Sequence, residues 1–495
     1  MMRLSDYTIF SDPLPNGNRI LMNGCSGALD IIPGVLADHL QRIQASSARG
    51  HAYVDGSVLH SDTVADLLER GHLTQATHEQ ERALLAEVAR GLHEQEKRRP
   101  YFMIAPSMDC NYRCVYCFER PLQMKLSATD RIEPDRGNGA VLHMDDVPRV
   151  FACIAQIQAQ AQAKPGGMII LYGGEPLDAR NRDVVFEIVR IGRERGHFFA
   201  AVTNGHDLDR FHSVLGPDMI RQIQISFDGP KSTHDRRRIS LDGNSSFDLL
   251  ISNIRTLLGI EGVEVHLRVH VEPASIDQFD DLLRFFEGEG WTDHPAVIIY
   301  ASTLYQKDTG GQVCARINVA DLAERLDAIA GRYRNVFTSA PAVHIADSLI
   351  SVFESNRRYP LKGAYCSANF GNYIFTPDGN IYACWESIGK ECSRIGSYRR
   401  TNGLELDDDG VQKWFNRSVA DVAGCLDCQF ALACGGGCAQ YAEYNTGSIN
   451  AGFCDEFQRT FRAALADESI RLLNGTSHTA SSFGEATPVV ADGAE

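Results

Sequence analysis

Cys110, Cys114 and Cys117 stand in the run Cys-Asn-Tyr-Arg-Cys-Val-Tyr-Cys, with gaps of three and two residues between the thiols. A cubane iron–sulfur cluster normally takes four thiolates, so a trio leaves one iron without a protein ligand and open to chemistry. The competing use of such a trio is half of a zinc knuckle, which would need a Cys or His pair downstream to close four ligands. A second group reads Cys366, Gly379, Cys384, Cys425, Cys428, Cys434, Cys438 and Cys454. Its rival reading is a double zinc ribbon, though seven thiols fit two four-ligand zincs poorly. Of the 14 cysteines, Cys25, Cys153 and Cys314 are expected to be small buried hydrophobes.

The elements that must position these thiols change character near residue 100. Before it, extended pieces at Tyr7–Phe10 and Arg19–Met22, a turn at Cys25-Ser26-Gly27 and helices at Val35–Ile43 and Gln80–His93 describe a small α+β segment. It carries no metal or nucleophile signature, which leaves a structural cap or recognition of a substrate peptide or its leader. From residue 100, strands alternate with helices. Tyr101–Ala105 runs into the cysteine loop, Met168–Tyr172 into Gly173-Gly174-Glu175-Pro176, Phe198–Val202 into Thr203-Asn204-Gly205, and Gln222–Phe227 into Asp228-Gly229-Pro230. Strands at Val263–Val271 and Ala296–Tyr300 follow, with helices at Asp183–Glu194, Phe247–Leu258 and Gln278–Glu287 between them. This repetition predicts an α/β fold with a parallel sheet, open or closed, whose active site lies at the carboxyl ends of the strands. The polar stretch Leu126–Met144 reads as a loop or lid, and Asn474–Glu495 as a disordered tail.

With 495 residues and 44% hydrophobic composition, the chain has material for two or three domains. A net charge of −16 excludes a nucleic-acid footprint, and Arg236-Arg237-Arg238 is too short a cluster to change that. No apolar run approaches the ~20 residues of a membrane span, and the first 30 residues hold acids, Pro and Gly where a secretory signal needs an unbroken apolar block. The expectation is a cytoplasmic protein with no membrane partner, whose crowded cysteines bind metal rather than pair as disulfides.

The cysteine loop after the first strand, followed by Gly-Gly-Glu-Pro after the second, resembles the radical S-adenosylmethionine (SAM) enzymes over about residues 100 to 340. The resemblance implies a partial (β/α)6 TIM-type barrel and a [4Fe–4S] cluster on Cys110, Cys114 and Cys117. The amino and carboxylate groups of SAM would occupy the fourth iron, and a 5′-deoxyadenosyl radical would abstract hydrogen from substrate. It implies that Tyr116 meets adenine through its backbone, that Gly173 and Gly174 let the chain approach the cofactor, and that Glu175 receives its ammonium group. Asn204, Ser226 and Asp228 suit ribose hydroxyls, and Arg238 suits the cofactor carboxylate. Glu119 and Arg120, beside the cluster, read as substrate contacts or as a surface ion pair.

The second cysteine group resembles the SPASM extension of radical SAM enzymes that modify peptides and proteins, over about residues 360 to 456. That resemblance implies two auxiliary [4Fe–4S] clusters, one on Cys366, Cys384 and Cys438, the other on Cys425, Cys428, Cys434 and Cys454, for three clusters in all. Gly435-Gly436-Gly437 would turn the backbone between ligands of different clusters. Residues 367 to 383 lack a cysteine found in fully ligated members, so the first auxiliary cluster is expected to keep an open iron for Cys392 or for substrate. The implied domains are 1–99, 100–340, a cysteine-rich C-terminal auxiliary-cluster domain at 341–473, and the tail 474–495. The implied activity is a maturase acting on a ribosomally made peptide or a protein, forming a thioether or carbon–carbon cross-link with electrons from a flavodoxin or ferredoxin. Oxidation of a sulfatase cysteine or serine to formylglycine, thioether maturation of an amine dehydrogenase subunit, and a non-catalytic iron–sulfur electron carrier are the alternatives.

Overall fold

The computed structural model describes residues 2–46, 59–117, 119, 141–272, 275–303, 305–307, 313–316, 320–355, 357–400, 403–454 and 457–473. Arg120, most of the expected Leu126–Met144 loop and the expected tail lie outside these residues. The described chain forms two compact units, each discontinuous in sequence.

The larger unit, Lys97–Ala340 with Phe370–Asn416, is α/β. Strands β1 (Tyr101–Ile104), β2 (Gly167–Leu171), β3 (His197–Thr203), β4 (Ile220–Phe227), β5 (Glu264–Val271), β6 (Val297–Thr303) and β7 (Val336–Phe337) lie side by side in chain order, every pair parallel. On the other flank of β1, β8 (Asn372–Phe375) adds in parallel, and β9 (Asn380–Tyr382), β10 (Arg394–Arg400) and β11 (Gly403–Leu406) continue antiparallel. Helices α1 (Val147–Gln160), α2 (Arg182–Glu194), α3 (Lys231–Arg237), α4 (Ser246–Leu257) and α5 (Ile276–Gly288) fall between the parallel strands in sequence. Each longer helix buries an apolar stripe at three- and four-residue spacing, as in Phe279, Leu282, Leu283 and Phe286 of α5.

The two sheet faces differ. Ile223, Ile225 and Phe227 of β4 and Val265, Leu267 and Val269 of β5 share one face and are fully buried. The opposite face is apolar where β8, β1, β2 and β3 contribute Ile374, Met103, Ile170 and Ala200. It turns polar on β4 to β6, through Gln222, Gln224, Ser226, His266, Arg268, His270, Tyr300 and Ser302, all buried. Alternation with both faces buried is the pattern of a sheet whose second face lines an interior site rather than solvent.

The smaller unit joins Met1–Glu96 to Pro341–Asn369 and Arg417–Val489. A three-stranded antiparallel sheet (Thr8–Phe10, Arg19–Asn23, Leu29–Ile32) and helices Gly34–Ser46, Ser61–Glu69 and His78–Glu96 make up its N-terminal part. Leu4, Phe10, Leu21, Ile32, Leu40, Leu67 and Leu73 form one core. A second core mixes Tyr7, Leu85, Ala86 and Ala89 with Val419, Ala420, Ala431 and Leu432. The Tyr7 hydroxyl also donates to the Leu426 carbonyl at 2.7 Å, and His93 Nε2 lies 2.9 Å from the Asn369 carbonyl. Residues 1–96 share this core with the later cysteine segments, while residues 370–416 pack with the larger unit. Among the described residues no helix is long and apolar enough to cross a membrane.

Candidate functional site

The site of the larger unit is built where β1 to β5 end. The cysteine loop is tied by its backbone to the segment after α3: Arg113 N donates to the Ile239 carbonyl (2.8 Å), Val115 N to Arg237 (3.1 Å), and Leu241 N to Asn111 (2.9 Å). The Arg236-Arg237-Arg238 run is thereby placed against the loop that carries the thiols. Gly173 and Gly174 adopt φ of +95° and +41°. A Cβ on Gly174 would lie 2.2 Å from the Asp109 carbonyl oxygen, and one on Gly173 would lie 3.0 Å from Ala105 Cβ. Their smallness is required by the cysteine loop itself, which crosses the turn and accepts a bond from Glu175 N at the Asp109 carbonyl (2.9 Å). Glu119, two residues past Cys117, is buried and accepts a bond from Gly174 N at 3.0 Å, which ties it to the same turn.

Glu175 is 1% exposed. Its carboxylate accepts from the Thr203 hydroxyl (2.5 Å), Asn204 N (2.6 Å) and Leu177 N (2.9 Å), locking the end of β2 to the end of β3. Burial pushes its pKa up to about 7, against the pull of those three donors. Its acceptor capacity is largely taken up by the fold, which leaves it an organising role beside the expected one toward an ammonium group. Asn204 is also more internal than its expected ribose role: Nδ2 donates to Asn111 Oδ1 (2.6 Å) and lies 3.7 Å from Cys110 Sγ. Tyr112 N points at the same sulfur at 3.4 Å. Burial, followed by the Glu175 charge, holds the Cys110 thiol well above its usual range.

Tyr116, Asp228 and Arg238 come together. The Tyr116 hydroxyl donates to Asp228 Oδ1 (2.8 Å) and accepts from Arg238 Nη1 (2.8 Å). His270 Nδ1, at the end of β5, lies 2.8 Å from Asp228 Oδ1 and 3.2 Å from the same hydroxyl, and its ring meets the Tyr116 ring edge to face. Arg237 Nε lies 3.3 Å from Asp228 Oδ2. Burial raises the Asp228 pKa, but the His270 bond and the neighbouring positive charges together hold it below the usual carboxylate range. Ser226 accepts from Arg268 Nη2 at 3.1 Å. Sequence reasoning missed His270, Thr203 and Arg237. The signal for His270 was the alternation His266, Arg268, His270 along β5, which puts three polar side chains on one face of a buried strand.

In the smaller unit, Cys366, Cys425, Cys428, Cys434 and Cys438 are partly buried and Cys454 is exposed; in the larger unit Cys384 is buried and Cys392 exposed. Gly435, Gly436 and Gly437 all have positive φ. A Cβ on Gly437 would lie 1.9 Å from the Phe453 carbonyl, which draws the segment before Cys454 against the Cys434–Cys438 turn. Among the described residues no three His, Cys, Asp or Glu side chains converge as the ligands of a single metal ion would. A cubane makes a different demand, because each thiolate binds a different iron. Three thiols on one loop, flanked by backbone and amide N–H groups aimed at Cys110 Sγ, are a donor set suited to such a cluster. A groove of about 470 Å³ is lined by Phe247, Asp248, Ile251, Leu282 and Phe285 of α4 and α5 and holds none of these residues.

No family model matches the chain. It is 23% identical over 380 residues to a cysteine-type anaerobic sulfatase-maturating enzyme of Clostridium novyi, covering 73% of this chain and 93% of that one. It is 22% identical over 440 residues to the radical SAM cyclopropyl synthase TigE of Paramaledivibacter caminithermalis, covering 84% and 85%. Both relatives are radical SAM enzymes or maturating enzymes by name, and the chain is similar to them over most of its length. The solved structure of native anSMEcpe with bound AdoMet has the same fold, with a TM-score of 0.52 at 15% identity over 76% of this chain and 99% of that one. This chain's relatives are enzymes that act on peptides or proteins, which favours a catalyst over a bare electron carrier.

Proposed function

We propose that the enzyme modifies a ribosomally made peptide or a protein by hydrogen abstraction, closing a thioether or carbon–carbon cross-link. The observation that carries the reading is the join between the two motifs: Gly173-Gly174-Glu175 packs on Asp109, the residue before Cys110, and Glu175 reaches Asn204, whose amide faces the Cys110 sulfur. Cys110, Cys114 and Cys117 would hold a [4Fe–4S] cluster, within a sheet that we read as a partial barrel. The cluster and SAM, when bound, supply a radical able to take hydrogen from an unactivated carbon. The chain's own part is to hold the thiols, orient the cofactor and keep the site dry.

Tyr116, Gly173, Gly174, Glu175, Asn204, Ser226, Asp228 and Arg238 are the proposed cofactor surroundings. Cys366, Cys384 and Cys438, and Cys425, Cys428, Cys434 and Cys454, are the proposed ligands of two auxiliary clusters. Such clusters suit cross-linking, because closing the new bond after hydrogen abstraction leaves one electron to remove. A flavodoxin or ferredoxin would supply the reducing electron, and a cytoplasmic setting would keep the thiols available. The N-terminal strands and helices remain the candidate surface for a leader peptide. The second reading, formylglycine formation, is favoured by the sulfatase-maturating relative; the cyclopropyl synthase, a maker of ring bonds by its name, aligns over more of this chain. Anaerobic reconstitution followed by dithionite and SAM tests the proposal. The expected result is 5′-deoxyadenosine from the wild type and none from Cys114→Ala; a wild type that forms none, or that carries chiefly zinc, overturns it.

A further inference from the structure

Arg417 is among the largest fully buried side chains, 1% exposed. Its guanidinium donates to the Ile449 carbonyl, to the carbonyls of Gly436 (3.1 Å) and Ala451 (3.0 Å), and to Asn369 Oδ1 (3.5 Å). All four acceptors are neutral, and among the described residues no carboxylate pairs with it. These acceptors mark the ligand-bearing segments: Asn369 lies three residues after Cys366, Gly436 lies between Cys434 and Cys438, and Ile449 and Ala451 lead to Cys454. A buried guanidinium without a counter-charge costs several kcal/mol. Burial disfavours the charged form here, and Cys366, Cys438, Cys425 and Cys434 would favour it once they carry thiolate charge. A planar fork reaching several carbonyls at once is a task for Arg and not for Lys.

We infer that Arg417 is a positioning and tuning residue for the C-terminal iron–sulfur clusters: one buried cation that gathers the ligand segments and raises the clusters' reduction potentials. The inference rests on the reading of these cysteines as cluster ligands. Reduction adds an electron to an already anionic thiolate-bound cluster, and a fixed positive charge beside it stabilises the reduced form. Other devices in the same unit, such as the Gly435–Gly437 turn, shape the backbone without supplying charge.

The test is an EPR-monitored redox titration, with iron analysis, of the anaerobically reconstituted full-length enzyme and two variants. Arg417→Gln removes the cation. Asn369→Asp, nearly isosteric, sets a carboxylate against it and keeps the guanidinium in place, so it decides the matter if Arg417→Gln does not fold. The expected result is wild-type iron content and auxiliary signals whose reduced-to-oxidised ratio at a fixed potential falls tenfold or more, about 59 mV for one electron. The SAM-binding cluster should not shift. Full iron with unchanged potentials in Asn369→Asp overturns the inference. So does loss of auxiliary iron in both variants, which would make Arg417 a brace and nothing more. A wild type holding about four irons instead of the about twelve of three cubanes would remove the cluster reading itself, a failure visible before any variant is made.

Discussion

The two cysteine regions carry buried charge of opposite sign. Around Cys110 the fold buries a carboxylate, Glu175, held by neutral donors and pushed up to about 7. Among the C-terminal cysteines it buries a guanidinium bonded only to neutral oxygens. A buried charge that its own neighbours do not neutralise is expensive, and its sign indicates what each region is suited to hold. The first suits a cofactor with a sulfonium and an ammonium group; the second suits anionic clusters. Asp228 departs from the pattern in a useful way. Its Oδ1 is bonded to His270 and Tyr116 and its Oδ2 faces the Arg237 guanidinium, so its charge is offset by the loop itself.

The comparison can be broken most severely from the N-terminus. Deleting residues 1–90 removes Tyr7, Leu85, Ala86 and Ala89 from the core they share with Val419, Ala420, Ala431 and Leu432. Large-to-small changes at a single core position cost 2–5 kcal/mol as a rule. The deletion should therefore strip auxiliary iron or solubility, measured by iron per chain and EPR, and a truncated protein that keeps full iron would show that the shared core is dispensable.

A gentler change sharpens the contrast. Because the folded pKa of Glu175 lies above its ordinary value of 4.5, its contribution to stability is fully present below pH 4.5 and is lost as pH rises to about 7 and beyond. In the iron-free protein this amounts to about 3 kcal/mol at most, at 1.36 kcal/mol per pKa unit. Glu175→Gln should remove that slope from denaturant unfolding midpoints measured between pH 5 and 8. It should also add a constant cost, since its amide would face the Asn204 N–H. An unchanged slope would show that Glu175 is not the group being desolvated.

What was legible in the sequence was local. Each strand that ends in a chemical motif announced itself by an apolar run followed by glycine or polar residues, and the large parallel sheet followed from their repetition with helices. The cysteine trio and Gly173-Gly174 were readable as types and spacings, but the reason for the glycines was not, because Asp109 reaches Gly174 only once β1 and β2 are paired. The partners of Glu119 and Asn204, Gly174 and Cys110, were hidden for the same reason, being distant in sequence. The sharing of one unit by residues 1–96 and 417–489 rests on contacts such as Tyr7 to Leu426, which no local periodicity reports. Arg417 carried no sequence signal, being one arginine among many until its burial was known.

The central claim is that the cysteine trio, and not the C-terminal cysteines, is built to receive the cationic cofactor. Low-temperature EPR of the dithionite-reduced enzyme, recorded with and without SAM, tests it directly. The account predicts that SAM changes the signal which Cys114→Ala abolishes and leaves the auxiliary signals as they were. A SAM-induced change that survives in Cys114→Ala, or no change at all in the wild type, would contradict it.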